Sequence, residues 1–324
     1  MSAIVRVNNL CRTYGAVHAV VELSFEIAPG QVVGFVGANG AGKTTTMRIM
    51  ATLESPSSGV VEICGYDVVN FPSEVRRRIG WMPDAYGRYE HMTVYEYLDF
   101  YGRAFGYRGR ARSSRVDDVM QFADLAVIAD REMVELSKGM AQRLCLGRTL
   151  LNDPDVLILD EPAAGLDPKA RIELIRLLRL LADDGKTIFI SSHILSELGQ
   201  MCDTMLFIDQ GRLVHYGSAD SLTGDDHEDG IVVTVELNGD PGRLREWILM
   251  NPGVRLLDEQ KSGGRVVFST DDPGELSGLL ARMIGDGLPV TEFRRERKRL
   301  EDVFVSIVSG STPPPLPGDR GAET

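Results

Sequence analysis

Gly37-Ala38-Asn39-Gly40-Ala41-Gly42-Lys43-Thr44 is the stretch on which the reading of this chain turns. Three glycines within six positions let a backbone wrap tightly enough for successive N–H groups to converge on an anion. The lysine that follows reaches the outer phosphates of a nucleotide, and the hydroxyl after it takes a position on Mg²⁺. A short apolar run, Val32-Val33-Gly34-Phe35-Val36, precedes the octet. A helix opening at Gly42 adds its positive end to the same pocket. Strand, glycine loop and helix in that order form the setting in which this pattern binds phosphate rather than merely turning the chain.

Further strands follow from the same logic. Val156-Leu157-Ile158-Leu159, Thr187-Ile188-Phe189-Ile190 and Met205-Leu206-Phe207-Ile208 are continuous apolar runs bounded by turn residues. Such runs read as strands buried on both faces, as in a parallel sheet. Between two of them, Lys169 to Asp184 reads as a helix packed on that sheet. Ile172, Ile175, Leu178 and Leu181 recur every three positions, and Leu174 and Leu177 thicken the stripe. Residues 84–151 carry helical patterns, as in Val116 to Phe122, and no clear strand. They are read as a helical insertion into an α/β core.

Leu159-Asp160-Glu161 ends one of the buried strands. Carboxylates at the C-terminal ends of strands sit where α/β folds bind ligands. Beside a phosphate loop, Asp160 is placed to hold Mg²⁺ and Glu161 to accept a proton from an attacking water.

Leu136-Ser137-Lys138-Gly139-Met140-Ala141-Gln142-Arg143 then resembles the signature motif of ATP-binding-cassette (ABC) proteins, usually written Leu-Ser-Gly-Gly-Gln. Lysine stands for the first glycine, and Met-Ala follows the second. Alone, Ser137 would be an ordinary helix cap. The other landmarks fall in the family's order from Ile4 to Gly217. Tyr14 matches the aromatic residue that stacks on adenine, Asp167 the acid of the loop Ala164-Gly165-Leu166-Asp167, and His193 the switch histidine that touches the γ-phosphate. The resemblance implies ATP contacts at Gly37, Asn39, Gly40, Gly42, Lys43, Thr44 and Thr45. It places Ser137 and Gly139 against the nucleotide of a second copy in a head-to-tail dimer. Catalytic roles then fall to Glu161, His193 and Lys43, and Mg²⁺ contacts to Thr44, Asp160 and Asp84. At Asp84 the sequence departs from the family, which has glutamine after the Met82-Pro83 position.

The implied fold is an α/β phosphate-loop ATPase over residues 1–217, with its helical subdomain at 84–151. An acidic linker, 218–230, leads to residues 231–310. There Ile231–Leu237, Arg243–Met250, Val254–Leu257, Arg265–Thr270, Glu275–Ile284 and Val290–Arg294 alternate as β-α-β-β-α-β, the ferredoxin-like order. A last helix, Leu300–Val308, closes this domain, and the Pro-rich tail 311–324 lacks the composition of a packed segment. Leu300-Glu301-Asp302-Val303-Phe304 resembles an element near the end of exporter-type cassettes. The run Arg294 to Arg299 is locally basic, as a solvated face or a permease contact would be.

Composition narrows the setting. The 324 residues suit two domains. A net charge of −12 argues against bulk electrostatic binding to nucleic acid. The four cysteines, Cys11, Cys64, Cys145 and Cys202, form no close pair, so neither a zinc site nor a disulfide framework is suggested. The N-terminus lacks the apolar core of a signal peptide, and no run of about 18 apolar residues occurs. The expectation is an ATPase subunit peripheral on the cytoplasmic face of the cell membrane, working through a separate permease. Two other classes remain open: a soluble cassette acting on ribosomes or DNA, and an ATP-binding regulator without turnover. The first usually carries two cassettes or a long coiled-coil insertion, which this acidic chain lacks. An intact Glu161 and His193 speak against the second.

Overall fold

The computed structural model describes residues 3–85, 87, 89–192, 194, 198–199, 201–218, 231–270, 272 and 274–296. In chain order the elements of the first part are β1 (Val5–Tyr14), β2 (Val17–Ile27), β3 (Val32–Val36), α1 (Lys43–Met50), β4 (Ser58–Ile63), β5 (Tyr66–Asp67), α2 (Pro72–Arg76) and β6 (Ile79–Met82). Then come α3 (Val94–Ala104), α4 (Gly109–Phe122), α5 (Lys138–Leu150), β7 (Val156–Leu159), α6 (Pro168–Asp183), β8 (Thr187–Ser192), β9 (Thr204–Asp209) and β10 (Arg212–Gly217). The second part holds β11 (Ile231–Leu237), α7 (Gly242–Met250), β12 (Val254–Gln260), β13 (Gly263–Phe268), α8 (Glu275–Gly285) and β14 (Val290–Arg295). Described residues up to 218 fall in one compact unit and those from 231 in another.

The first unit stacks two sheets. Its main sheet runs β10-β9-β3-β8-β7-β6, parallel except for the edge strand β10. β3, β7 and β8 are buried at every position, which is why they appear in the sequence as unbroken apolar runs. An antiparallel sheet, β2-β1-β4-β5, lies against it. Phe25 of that sheet stacks on Phe189 of the main sheet with ring centroids 5.6 Å apart, and Phe35 lies 5.0 Å from Phe189. This aromatic cluster, with Met47, Ile49 and Met50 of α1, fills the core beneath the glycine loop.

The antiparallel sheet was not foreseen from the sequence. Its β1–β2 register shifts three times, between Val7 and Leu10, Leu10 and Arg12, and Arg12 and Thr13. Bulges of this kind break the period of two on which strand recognition depends.

α6 also corrects an expectation. Its buried stripe is Leu174, Leu177, Leu178 and Leu181, whereas Ile172 is 68% exposed. A series stepping by three residues drifts about 60° around the helix at each step, because a turn holds about 3.6 residues. Ile172 is therefore carried off the face that Leu181 occupies.

The described residues of 84–151 hold α3, α4 and α5 and form no strand. Thr93 and Glu96 form a reciprocal capping box at the start of α3.

The second unit is β-α-β-β-α-β with an antiparallel sheet ordered β12-β13-β11-β14. α7 and α8 contribute Leu244, Trp247, Leu276, Leu279 and Met283 to its own core. β12 extends three residues past its expected end at Leu257, and β13 begins at Gly263 rather than Arg265. The helix expected at Leu300–Val308, the tail, Arg297 to Arg299 and all of the linker but Ser218 lie outside the described residues.

Candidate functional site

The backbone at Gly42 sets the loop. Its φ is +106°, and a Cβ there would run into the Ala19 carbonyl oxygen of β2. Only glycine permits both the left-handed turn and that approach. α1 starts at the next residue with no side chain capping it, so its first N–H groups remain available to an anion.

These groups face a cavity of about 330 Å³. Ala38, Asn39, Gly40, Gly42, Lys43, Thr44 and Thr45 line one side of it, and Ala19, Asp84, Glu161 and Ala164 the rest. Lys43 is only 6% exposed. Its ammonium donates to the Gly37 carbonyl at 2.7 Å and to the Ala38 carbonyl at 3.3 Å, and lies 3.6 Å from Glu161 Oε1. The one buried cation of the loop thus sits between the loop's own carbonyls and a carboxylate.

β7 and β8 run parallel side by side, pairing Leu159 with Ile190. Their C-terminal ends therefore bring Asp160, Glu161 and Ser191 together. The buried Ser191 hydroxyl donates to Asp160 Oδ1 at 2.7 Å and accepts from the Glu161 amide at 2.9 Å. One side chain thereby fixes two successive acids. Burial pushes the Asp160 carboxyl above the usual carboxylate range; hydrogen bonds from Ser191 and Thr44 oppose the shift, and the charges of Glu161 and Asp84 add to it. A bound cation would favour the ionised form.

Glu161 adopts φ +49°, the left-handed region, which a non-glycine residue enters only at some cost. The Ala164 amide donates to its carbonyl at 3.0 Å and the Leu166 amide to the Ala163 carbonyl at 3.2 Å, so the segment is two tight turns.

Among the described residues no group of three or more His, Cys, Asp or Glu side chains forms a self-contained metal cage. The donors beside the glycine loop, the Thr44 hydroxyl and the Asp160 carboxylate, suit Mg²⁺, which commonly completes its shell with water and substrate phosphates.

Tyr14, Ser137, Gly139 and Asp167 are not among the residues that line the cavity. Tyr14 is 42% exposed, so it is not a core residue. Its ring lies 4.5 Å from the Arg12 guanidinium carbon and its hydroxyl donates to Glu54, which also accepts from Arg12. Ser137 is exposed and caps α5 by accepting from the Met140 amide at 3.3 Å. A Cβ on Gly139 would lie 2.7 Å from Ala170 Cβ, so the starts of α5 and α6 touch there. Asp167 caps α6 by accepting from the Lys169 and Ala170 amides, both at 3.0 Å. His193 lies outside the described residues.

Ala19, Ala38 and Ala164 also line the cavity, and Ser191 bridges the two acids, yet nothing in the sequence marks these four as functional. Small side chains carry no chemical signal, and a hydroxyl's partners across a sheet are invisible until the strand order is known.

A family model described as "ABC transporter" matches residues 20–164. Over 309 residues the chain is 36% identical to "Nod factor export ATP-binding protein I" of Cupriavidus metallidurans, covering 95% of this chain and 98% of that one. It is 32% identical over 302 residues to "Uncharacterized ABC transporter ATP-binding protein YxlF" of Bacillus subtilis, covering 93% and 98%. Among solved structures, "Structure of ATP binding subunit of ABC transporter" superposes with a TM-score of 0.62 at 29% identity, over 68% of this chain and 91% of that one. The "Dimeric structure of a post-hydrolysis state of the ATP-binding cassette MJ0796 bound to ADP and Pi" gives 0.61 at 25% identity, over 66% and 98%.

Proposed function

The chain belongs to the ATP-binding subunits of ABC transporters, and from that premise we propose that it drives export: two copies close head to tail over ATP and pass the movement to a separate membrane permease. ATP hydrolysis is the reaction of its family. The observation that carries the mechanistic reading is the Glu161 carboxylate in the cavity, 3.6 Å from the Lys43 ammonium. Export is supported by the relatives named for it, whose similarity runs through both units of this chain. Among the described residues no helix is long and apolar enough to cross a membrane. The proposed location is peripheral, on the inner face of the cell membrane.

In this reading the Gly37–Thr44 backbone and Lys43 hold the β- and γ-phosphates, and Tyr14 stacks on adenine. Thr44 and Asp160 hold Mg²⁺, which when bound offsets the negative charge of the phosphates. Glu161 accepts a proton from the attacking water at its carboxylate, while Ser191 keeps its backbone in place. Ser137, Gly139 and Asp167 complete the site of the second copy, and His193 contacts the γ-phosphate. Catalysis is then positioning and electrostatics, as is usual for phosphoryl transfer. Purification from solubilised membranes tests the coupling. A multi-spanning permease should accompany the subunit and stimulate its ATPase. A ribosome or DNA as the only stable companion would remove the proposal.

Asp84 tests the point where the sequence leaves its family. An ionised Asp84 only accepts hydrogen bonds and is one methylene shorter than glutamine. It nonetheless lines the cavity, and its charge is felt at Asp160. We assign it to the metal through a bridging water. Asp84→Ala should lower turnover by about tenfold, with ATP affinity within about threefold, and Asp84→Gln should keep most activity. Unchanged turnover and unchanged permease stimulation in Asp84→Ala would remove this role.

The second unit is assigned no part in nucleotide binding, since its described residues form a core of their own. A chain ending at Gly217 should fold and bind ATP with near-native affinity by calorimetry. A soluble, folded truncation that binds no ATP would contradict this.

A further inference from the structure

We propose that the first turn of α5 acts within its own chain as a strut that sets the Glu161–Leu166 segment, with Lys138 as a positioning residue for Glu161. The proposal rests on the reading of Glu161 as general base.

The segment is strained and needs support. Gly165 takes the left-handed region freely at φ +66°, but Glu161 adopts it at +49° with a side chain. Backbone of this kind persists only where its surroundings over-determine it. Ser191 supplies one hold, at the Glu161 amide. Arg171 of α6 supplies another, donating to the Leu166 carbonyl at 3.4 Å, and α5 supplies more. Gln142, only 2% exposed, donates to the Pro162 carbonyl at 2.6 Å. Gly139 meets Ala170 just beyond the segment. Lys138 lies across Gly165: a Cβ there would overlap its ammonium and stand 3.6 Å from Cε and 3.9 Å from Cδ. The end of the lysine side chain, its ammonium, therefore occupies the space left by the missing side chain, with the stem in ordinary contact beside it. The glycine usual at position 138 in this family could not do so.

Among the described residues the Lys138 ammonium has no hydrogen-bond or ion-pair partner. With no partner for its charge, the end of the side chain meets the loop by packing. That separates two roles. A strut acts on the Glu161 of its own chain and survives loss of the charge. A phosphate ligand would act on the partner's nucleotide and would not.

The test uses a heterodimer of the full chain with a Lys43→Ala copy, purified on two tags. Its live site takes its phosphate loop and Glu161 from the intact copy and its Ser137 turn from the Lys43→Ala copy. Lys138→Ala in the intact copy is expected to lower kcat about tenfold with KM for ATP within about twofold, short of the ~10²-fold loss from misplacing a catalytic group by 1 Å. In the Lys43→Ala copy the same change should leave kcat within about twofold. Lys138→Met, which fills most of the same length without the charge, should retain at least about half of kcat in either copy. Loss only from the Lys43→Ala copy, equal loss from both copies, no loss from either, or Lys138→Met falling as far as Lys138→Ala would each overturn the strut. If the parent heterodimer is inactive, hydrolysis at a single composite site fails as a premise, and the homodimers decide. Lys138→Ala must then lose kcat at unchanged KM and Lys138→Met must keep it, or the strut is wrong.

Discussion

Glu161→Gln is expected to slow ATP hydrolysis by about two orders of magnitude or more while ATP still binds, because removing a general base forfeits roughly 10²–10⁴ in rate. Glutamine keeps the shape of the side chain and its backbone bond to Ser191, but its amide cannot take a proton from water. In barrier terms the lower figure is about 2.7 kcal/mol. The phosphate-binding groups are untouched, so binding and closure should proceed and a dimer trapped with ATP should accumulate. Phosphate release measured beside size-exclusion chromatography with ATP and Mg²⁺ reads both effects. Near-native turnover would remove Glu161 from its proposed role. The same variant separates this chain from an ATP-binding regulator, whose output would not depend on hydrolysis.

Recovery of activity by mixing two dead variants is the second large effect expected. Lys43→Ala removes the buried cation of a chain's own phosphate loop. Ser137→Arg places a bulky charge on the exposed turn that the chain lends to its partner. Each homodimer should be inactive by about 10²-fold or more, because each lesion is present at both sites. In a mixed dimer both lesions fall in one composite site, and the other is whole. Hydrolysis should return to roughly half the native rate per dimer if the sites act independently. Heterodimers that form and stay inactive, while a dimer with a single Lys43→Ala lesion hydrolyses ATP, would show that Ser137 does not act across the interface.

The sequence made some parts of this molecule plain and concealed others. The glycine loop was legible because its chemistry is local: eight consecutive residues supply the turn, the cation and the hydroxyl. β7 and β8 were legible because a strand buried on both faces needs no alternation. β1 and β2 were not, because their bulges destroy the pattern that marks a half-exposed strand. Within the site, Asp160 and Glu161 could be read from their place after a strand. What holds them could not, since Ser191 is 31 residues from Asp160 in the chain and meets it only once β7 and β8 pair. Lys138 is a similar case. In sequence it is a deviation from a motif; its contact with Gly165 requires α5 and the loop after β7 to be placed side by side.

Ser191 also restricts which replacements its position tolerates. A hydroxyl has one proton to give, and here it goes to Asp160, while the oxygen receives the Glu161 amide. Threonine offers the same donor and acceptor and suits a strand, so Ser191→Thr is the exchange that keeps both bonds. Alanine or valine would leave a backbone amide unpaired and take from the buried carboxylate one of its hydrogen bonds, two losses from one substitution. A cysteine, of nearly the same size, would answer both with a weak donor and a weak acceptor. The genetic freedom of this position is thus set by the bookkeeping of a single proton, although the residue need never touch the nucleotide.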